Sequence, residues 1–309
     1  MRLFRITFTN QKSFLSFFLD VKLKTMIQVG PAPECRCDSY TSATYRANHN
    51  PYDIALKRNA APQPDTPTIF VVTPTYTRNS QKSELTMLSN TLRNVYFLTW
   101  IVVEDSQSKS DLVTRFLKHC GVPYVHLNGI DPLRYTKTKA GYQRNLGIQW
   151  IRDNVNPIKT PGVVYFADDD NSYDVRIFDE MRNTKNVSVW PVGFRGAKYQ
   201  APMVENGKVV GFMSFYGSSR KFAIDMAGFA VNIRLLFERP KARFYYQQQG
   251  ILETSFLTCL KISYDDLEPK ASNCTEVLVW HTRTKEPSFA FEAKMVQKYG
   301  KWYNPDMEV

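Results

Sequence analysis

Asp168, Asp169 and Asp170 are the residues of this chain whose types and spacing most plainly invite chemistry. Three adjacent carboxylates repel one another, and a carboxylate is rarely buried without a partner. They follow Val163, Val164, Tyr165 and Phe166, a β-branched and aromatic run that predicts a strand buried on both faces. A divalent cation at the strand end would relieve the repulsion, because hard oxygen ligands suit Mg²⁺ or Mn²⁺. The carboxyl ends of strands are also where open α/β sheets bind ligands. A solvated acidic turn that caps the next helix is the competing reading, and the triplet alone does not choose between them.

Other residues fit a nucleotide at the same crevice. Tyr76 offers a ring to stack on a base, and Asp105 can accept from a base N–H or a ribose hydroxyl. The acidic triplet would hold ribose and metal, with Arg144 and Lys139 balancing the acids or contacting phosphate. The chain has no GxGxxG or Walker loop, so neither a dinucleotide site nor an NTPase site is suggested. Phosphate must then be neutralised by metal and basic side chains. His281 and Arg283, two apart in the extended-looking run over 277–284, would point to one side and grip a diphosphate. A structural imidazole is the plainer reading of the histidine. Glu253 opens an apolar helix expected over 251–260, where it either complements the helix dipole or acts as a general base.

These residues need elements to hold them. The periodicity predicts strands at 69–73, 100–104 and 123–127, and helices at 83–97, 110–119 and 141–154. The helix at 141–154 puts Leu146 and Trp150 on one side and leaves Arg144 on another. With the acidic strand next, the alternation indicates a mostly parallel sheet with crossover helices. After Asp170 the texture becomes more irregular. Strand-like runs occur at 187–192, 208–213 and 222–231, with Asn206-Gly207 a turn, and helices are expected at 232–238 and 251–260.

The bulk composition narrows the classes. The chain has 309 residues with 43% hydrophobic and 14% aromatic, which excludes a disordered chain. Its net charge is +11, of which +5 (nine Lys/Arg, four Asp/Glu) lies in residues 1–60. The remainder is too dilute for a dense basic nucleic-acid face and suits a folded domain with anionic ligands. Five cysteines without a CxxC pair give no support to a zinc or thioredoxin-like site. Two sequons, at Asn186 and Asn273, point weakly to a secretory route. The run over 13–19 follows Arg2, Arg5 and Lys12 and is stopped by Asp20, far short of the roughly 20 residues that span a bilayer. Prolines at 31, 33, 51, 62, 64 and 67 mark a linker.

Eight ordered blocks carry a family resemblance: 72–76, 102–106, 143–145, 165–170, 205–211, 223–230, 252–255 and the long 266–284 segment. The chain resembles the β-1,3-glucuronosyltransferases, glycosyltransferase family 43, over about residues 67–286, and the 305–309 tail is similar too. The resemblance implies a single α/β domain of GT-A fold with a mixed sheet, spanning 67–309. Its UDP-binding half would be 67–197 and its acceptor-binding half 198–309, after a leader at 1–29 and a stem at 30–66. It further implies UDP-glucuronic acid as donor, a galactose-terminated glycan as acceptor, Mn²⁺ as cofactor and inversion at the anomeric carbon, and it leaves a homodimer open. It also implies a type II Golgi membrane location with a luminal catalytic domain, for which the leader would be an atypical anchor or an incomplete start.

Carried onto matching positions, the resemblance has Tyr76 and Asp105 hold uracil, with Arg144 and Lys139 assisting. Asp168 and Asp169 would contact nucleotide or ribose, Asp170 would ligate Mn²⁺, and His281 and Arg283 would bind the diphosphate. Glu253 would be the general base, and Gln200, Tyr216, Arg220 and Asp225 would lie by the sugars. Lys139 stands where relatives usually have Arg, Gln200 where they have Glu, and Gln249 where Arg is frequent. These departures leave open a second reading, a catalytically silent or altered-specificity sugar-binding paralogue. A nucleic-acid-binding protein would rest on pI alone.

Overall fold

The computed structural model describes residues 66–130, 140–194, 198–214, 220–245 and 250–285, with 294, 296–298 and 300. The 1–29 leader, nearly all of the 30–66 stem, Lys139, Tyr216, Gln249 and the 305–309 tail lie outside the described residues. No helix among the described residues is long and apolar enough to cross a membrane.

The apolar runs pair as anticipated. β1 (Thr68–Thr75), β2 (Leu98–Glu104), β3 (Tyr124–Asn128) and β4 (Gly162–Phe166) are parallel, with β1 between β2 and β4 and β3 outside β2. The chain therefore travels outward from β1 to β3 and returns to the opposite side of β1. That reversal opens a crevice at the carboxyl ends of β1 and β4, the topological switch point where open α/β sheets bind ligands. Val163, Val164, Tyr165 and Phe166 are all fully buried, as a strand covered on both faces must be.

The connecting helices are α1 (Gln81–Leu92), α2 (Asp111–His119) and α3 (Gly141–Asn154). The helix expected over 83–97 ends at Leu92, because the chain must turn at Phe97 (φ 46°) to enter β2, with Ile69 N–H bonding the Phe97 carbonyl. α3 has the predicted bounds and lies unusually close to the sheet. A Cβ on Gly147 would come within 2.5 Å of a Val72 methyl, so glycine there is what lets the helix settle onto β1.

Beyond β4 come β5 (Ser172–Tyr173), α4 (Arg176–Arg182), β6 (Val187–Val189), β7 (Val192–Gly193), β8 (Tyr199–Glu205) and β9 (Lys208–Met213). β10 (Phe229–Asn232), α5 (Arg234–Glu238), α6 (Leu252–Cys259), β11 (Leu267–Pro269) and β12 (Val279–Trp280) follow. The first sheet runs β11-β6-β10-β4-β1-β2-β3, with β10 antiparallel to both of its neighbours. A second sheet runs β5-β12-β7-β8-β9. The structure is mixed α/β with a mixed sheet, as the GT-A fold requires.

Two strand expectations need correction. The 187–192 run is divided between the sheets at Trp190-Pro191, where the proline lacks a ladder N–H. The 222–231 run is extended only from Phe229. Before it a 3₁₀ turn spans Met226–Gly228, capped by the Asp225 carboxylate accepting from Ala227 N–H at 3.0 Å. The Asn206-Gly207 turn is present, both residues having positive φ, and joins β8 to β9. Of the sequons, Asn273 is exposed, whereas the Asn186 sequon includes the fully buried Ser188.

An aromatic cluster anchors the acidic strand from beneath. The Phe166 ring meets Phe244 edge-on at 4.9 Å and Phe256 at 5.6 Å between centroids, tying β4 to α6 and to the segment before it. Phe166→Ala is expected to lower unfolding free energy by about 3–5 kcal/mol, the usual cost of emptying a packed phenylalanine site. Ile158→Ala, at a residue 90% exposed, is the control and should change it by less than about 0.5 kcal/mol in the same urea titration.

Candidate active site

The acidic triplet sits at the switch point, and its three carboxylates have different fates. Asp168 accepts from the Arg144 guanidinium, which α3 delivers one turn before the close Gly147 contact. Asp169, only 6% exposed, pairs with Arg78 at 2.7 Å. Arg78 also pairs with the buried Glu84 in the first turn of α1. No arginine or lysine bonds the Asp170 side chain among the described residues, while its carbonyl accepts from Thr282 Oγ1. The expected mutual repulsion is thus largely answered by protein cations, and only Asp170 remains for a further partner.

Burial pushes the Asp169 carboxyl up to about 6, with Arg78 opposing the rise. Asp170 is also raised, by burial first and then by the charges of Asp168 and Glu84. A divalent cation fits here by donor chemistry. Asp170 offers hard oxygens in a negative field, although no group of three His, Cys, Asp or Glu side chains gathers to hold an ion here or elsewhere among the described residues. One protein carboxylate is a sparse ligand set, suited to an ion that shares phosphate oxygens with its substrate.

Around the triplet lie most of the residues singled out from sequence. Tyr76 follows β1 and is 47% exposed, and the Arg78 guanidinium lies over its ring at 4.5 Å from the centroid. Asp105 follows β2, its N–H bonded to the Thr75 carbonyl at 2.8 Å, so the loops after β1 and β2 are joined. His281 Nδ1 stands 4.0 Å from the Asp225 carboxylate, and the imidazole charge is felt at Asp170. The extended alternation expected to set Arg283 beside it stops short of that residue. β12 ends at Trp280, and Thr282 N–H bonds the Trp280 carbonyl at 2.9 Å in a tight turn about His281. The alternation of an extended strand is lost there, and Arg283 is exposed.

Glu253 lies in the first turn of α6, which Thr254 pins by bonding both the N–H and the carbonyl of Phe222. Burial raises its carboxyl to about 7, with a further push from Asp225; the charges of Arg144 and Arg220 oppose this. Burial therefore outweighs the helix-terminus stabilisation anticipated for the anion. Arg220 lies against Gly250 (φ 73°), where a Cβ would come within 2.8 Å of its guanidinium. Gln200 is buried and donates its amide N–H groups to Ser214 Oγ and the Ala223 carbonyl. That binding is internal, and a glutamate in the same pose would set its oxygens against a carbonyl.

Sequence reasoning passed over Arg78, although a cation two residues beyond Tyr76 in a loop leaving a strand end was a readable signal. It also passed over Glu104 and His126, a buried pair joining the end of β2 to the middle of β3. Ser110 N–H also bonds Glu104, at 2.9 Å.

Comparison with known proteins gives this geometry a family. The profile of Glycosyltransferase family 43 matches residues 88–285. The chain belongs to glycosyltransferase family 43. Galactosylgalactosylxylosylprotein 3-beta-glucuronosyltransferase 2 of Canis lupus familiaris is 49% identical over 240 residues, covering 75% of this chain and 73% of that protein. Galactosylgalactosylxylosylprotein 3-beta-glucuronosyltransferase 1 of Homo sapiens is 48% identical over 242 residues, covering 74% and 72%. Among solved structures, S. aureus TarS 1-349 aligns over 70% of this chain and 60% of its own at 14% identity, with a TM-score of 0.44, too remote to bear on chemistry. This family 43 chain is a glycosyltransferase.

Arg78 holds two buried carboxylates, with side chains of Arg78 and Asp169 each 8% exposed and Glu84 2%. Arg78→Met is expected to cost about 3–5 kcal/mol at pH 8, as for a buried pair that loses one partner. Its removal raises the Asp169 pKa further above about 6, so at pH 5 the neutral acid no longer needs the cation and the loss should shrink. Urea melts at both pH values check this; an equal loss would show that Arg78 acts by packing alone.

Proposed function

We propose that this glycosyltransferase moves glucuronic acid from UDP-glucuronic acid to the 3-hydroxyl of a terminal galactose on a glycan, inverting the anomeric carbon. The carrying observation is Glu253, a carboxylate raised to about 7 beside Asp225 and Arg220 and within the electrostatic reach of Arg144. The names of the family 43 relatives support the glucuronyl group and the galactosyl acceptor.

In this reading Tyr76 stacks on uracil, Asp105 accepts from the nucleoside, and Arg78 and Arg144 keep Asp169 and Asp168 charged and in place. His281 faces the diphosphate. Arg283 and Lys139 belong to the same proposed donor set, and Gln200, Tyr216, Arg220 and Asp225 to the acceptor side. Asp170 is the residue that would hold Mn²⁺, which when bound supplies positive charge against the departing diphosphate. Glu253 takes the proton from the acceptor hydroxyl as that oxygen attacks the anomeric carbon. The bond to UDP breaks on the opposite side, which is why a single displacement inverts. A pKa near 7 matches a base that must be ionised at neutral pH yet still attract a proton. The activity would place the catalytic domain in the Golgi lumen, as a homodimer.

Glu253→Gln keeps shape but deletes the base, so turnover should fall by roughly 10²–10⁴-fold while UDP affinity in Mn²⁺ barely moves. UDP binding without transfer by the unaltered protein would instead select the silent sugar-binding reading. The unaltered enzyme should lose kcat/KM as pH drops through about 7, where Glu253 gains its proton. A flat profile from pH 5.5 to 8 would remove Glu253 from that role.

Asp170→Asn should abolish the Mn²⁺-dependent part of UDP binding measured by calorimetry, leaving the chelator-treated affinity unchanged. Identical Mn²⁺ dependence in the two proteins would rule out Asp170 as the ligand.

A further inference from the structure

A groove of about 490 Å³ lies on the flank of α3, walled by Tyr142, Asn145 and Arg152 on one side and Lys241, Arg243 and Tyr245 on the other. That volume lies within the roughly 300–1,000 Å³ of small-molecule sites. It is separate from the acidic crevice in charge and in residues, since Arg144 and Asp168 do not line it.

The walls are built, not incidental. Asn145 bonds the Phe244 backbone through both ends of its amide, accepting from the N–H at 2.8 Å and donating to the carbonyl at 2.9 Å. Arg152 donates to the carbonyls of Leu236, Arg239 and Ala242 at 3.1, 3.2 and 2.8 Å. Those bonds use Nε and Nη2, and the Nη1 hydrogens find no acceptor among the described residues. Desolvation lowers the Arg152 pKa, opposed by Asp153, whose own carboxylate accepts from Gln149 at 2.8 Å. The groove thus keeps a partly buried guanidinium that no carboxylate bonds. Arg243 adds a second guanidinium, 5.0 Å from the Tyr245 ring centroid, and Lys241 adds an exposed ammonium.

We infer that this groove binds an anionic substituent, sulfate or carboxylate, on a saccharide. Fixed guanidinium groups suit planar or tetrahedral oxyanions, and the tyrosine rings suit the apolar face of a sugar. The groove is also tied to the helix that carries Glu253. Tyr245 N–H bonds Ser255 Oγ at 3.3 Å in the first turn of that helix. Resting on the proposed glucuronyl transfer, the groove is where a charged part of the acceptor glycan, beyond the galactose that reacts, would lie.

The test uses the full chain and the variant Lys241→Ala with Arg243→Ala, both at exposed positions, with an unchanged Tm as the check on folding. Calorimetry measures binding of a chondroitin sulfate hexasaccharide, its desulfated form, a neutral galactose oligosaccharide and sodium sulfate alone. The expected result is tighter binding of the sulfated hexasaccharide than of the neutral one, weakened about tenfold or more in the variant, as for loss of a charge-assisted hydrogen bond. Transfer to a neutral galactoside should be equal in both proteins. Equal affinity of variant and parent for the sulfated hexasaccharide overturns the proposal, as does equal affinity of the parent for the sulfated and neutral chains. Binding of sodium sulfate as tight as that of the hexasaccharide overturns the saccharide part. Absence of transfer by the parent to any galactoside would count against the proposed reaction while leaving the charge-dependent binding result to stand or fall separately.

Discussion

A fully buried strand that ends in three carboxylates must dispose of three negative charges, and the way it does so orders the rest of the site. Two are met by arginines from different elements, Arg144 from α3 and Arg78 from the loop after β1. Leaving such a carboxylate buried and unpaired would cost several kcal/mol, so the pairing constrains where both elements sit. α3 must approach the sheet closely enough for Arg144 to reach Asp168, and the missing Cβ of Gly147 permits that approach. The β1 loop must bend back over the triplet, and in doing so Arg78 covers Tyr76 and binds its carbonyl at 3.2 Å. One electrostatic requirement thereby shapes both the placement of the Tyr76 ring and the acid that stays available, Asp170.

The second half of the chain supplies the other wall by a different physical means. α6 is fixed through Phe256 in the aromatic cluster beneath β4 and through Thr254 on the Phe222 backbone. Glu253 is carried to a half-buried position near the charge of Asp225, and the desolvation there gives the carboxylate its high proton affinity. Burial at this residue costs stability and raises proton affinity together, the opposition that perturbed carboxylates in clefts commonly show. Its neighbour Asp225 serves twice, capping the 3₁₀ turn with one oxygen and standing 4.0 Å from His281 with the other.

His281 reaches that position by a strained route. Ala271, Ser272, Asn273 and Cys274 all have left-handed φ, between 53° and 61°, although none is glycine. Such a turn costs about 1–2 kcal/mol per residue and does not persist unless held from outside. Glu180 accepts from Ala271 N–H at 2.9 Å, and Cys274 N–H bonds the Lys270 carbonyl at 2.7 Å. The turn carries the chain from β11 towards β12, which ends at Trp280 immediately before His281. It also leaves Asn273 exposed at its apex.

The strands β1 to β4 and the helix over Gly141–Asn154 could be read from the sequence because their apolar spacing is local and strong, and a strand end bristling with acids is legible wherever it lies. The hairpin at Asn206-Gly207 was legible for the same reason, since only certain residues tolerate positive φ. The sequence likewise marked Glu253 as the opening of an apolar helix, but not the sign of the effect that dominates its proton affinity. Burial is a property of everything packed around a group, and no window of residues reports it. Tertiary structure alone decided that the 187–192 run serves two sheets, that the chain turns at His281 instead of staying extended to Arg283, and that the Gln200 amide N–H groups bond Ser214 and Ala223. It also decided which of three chemically identical aspartates is left without an arginine, because Arg78 and Arg144 lie some 90 and 24 residues away and only the folded sheet brings them to adjacent carboxylates.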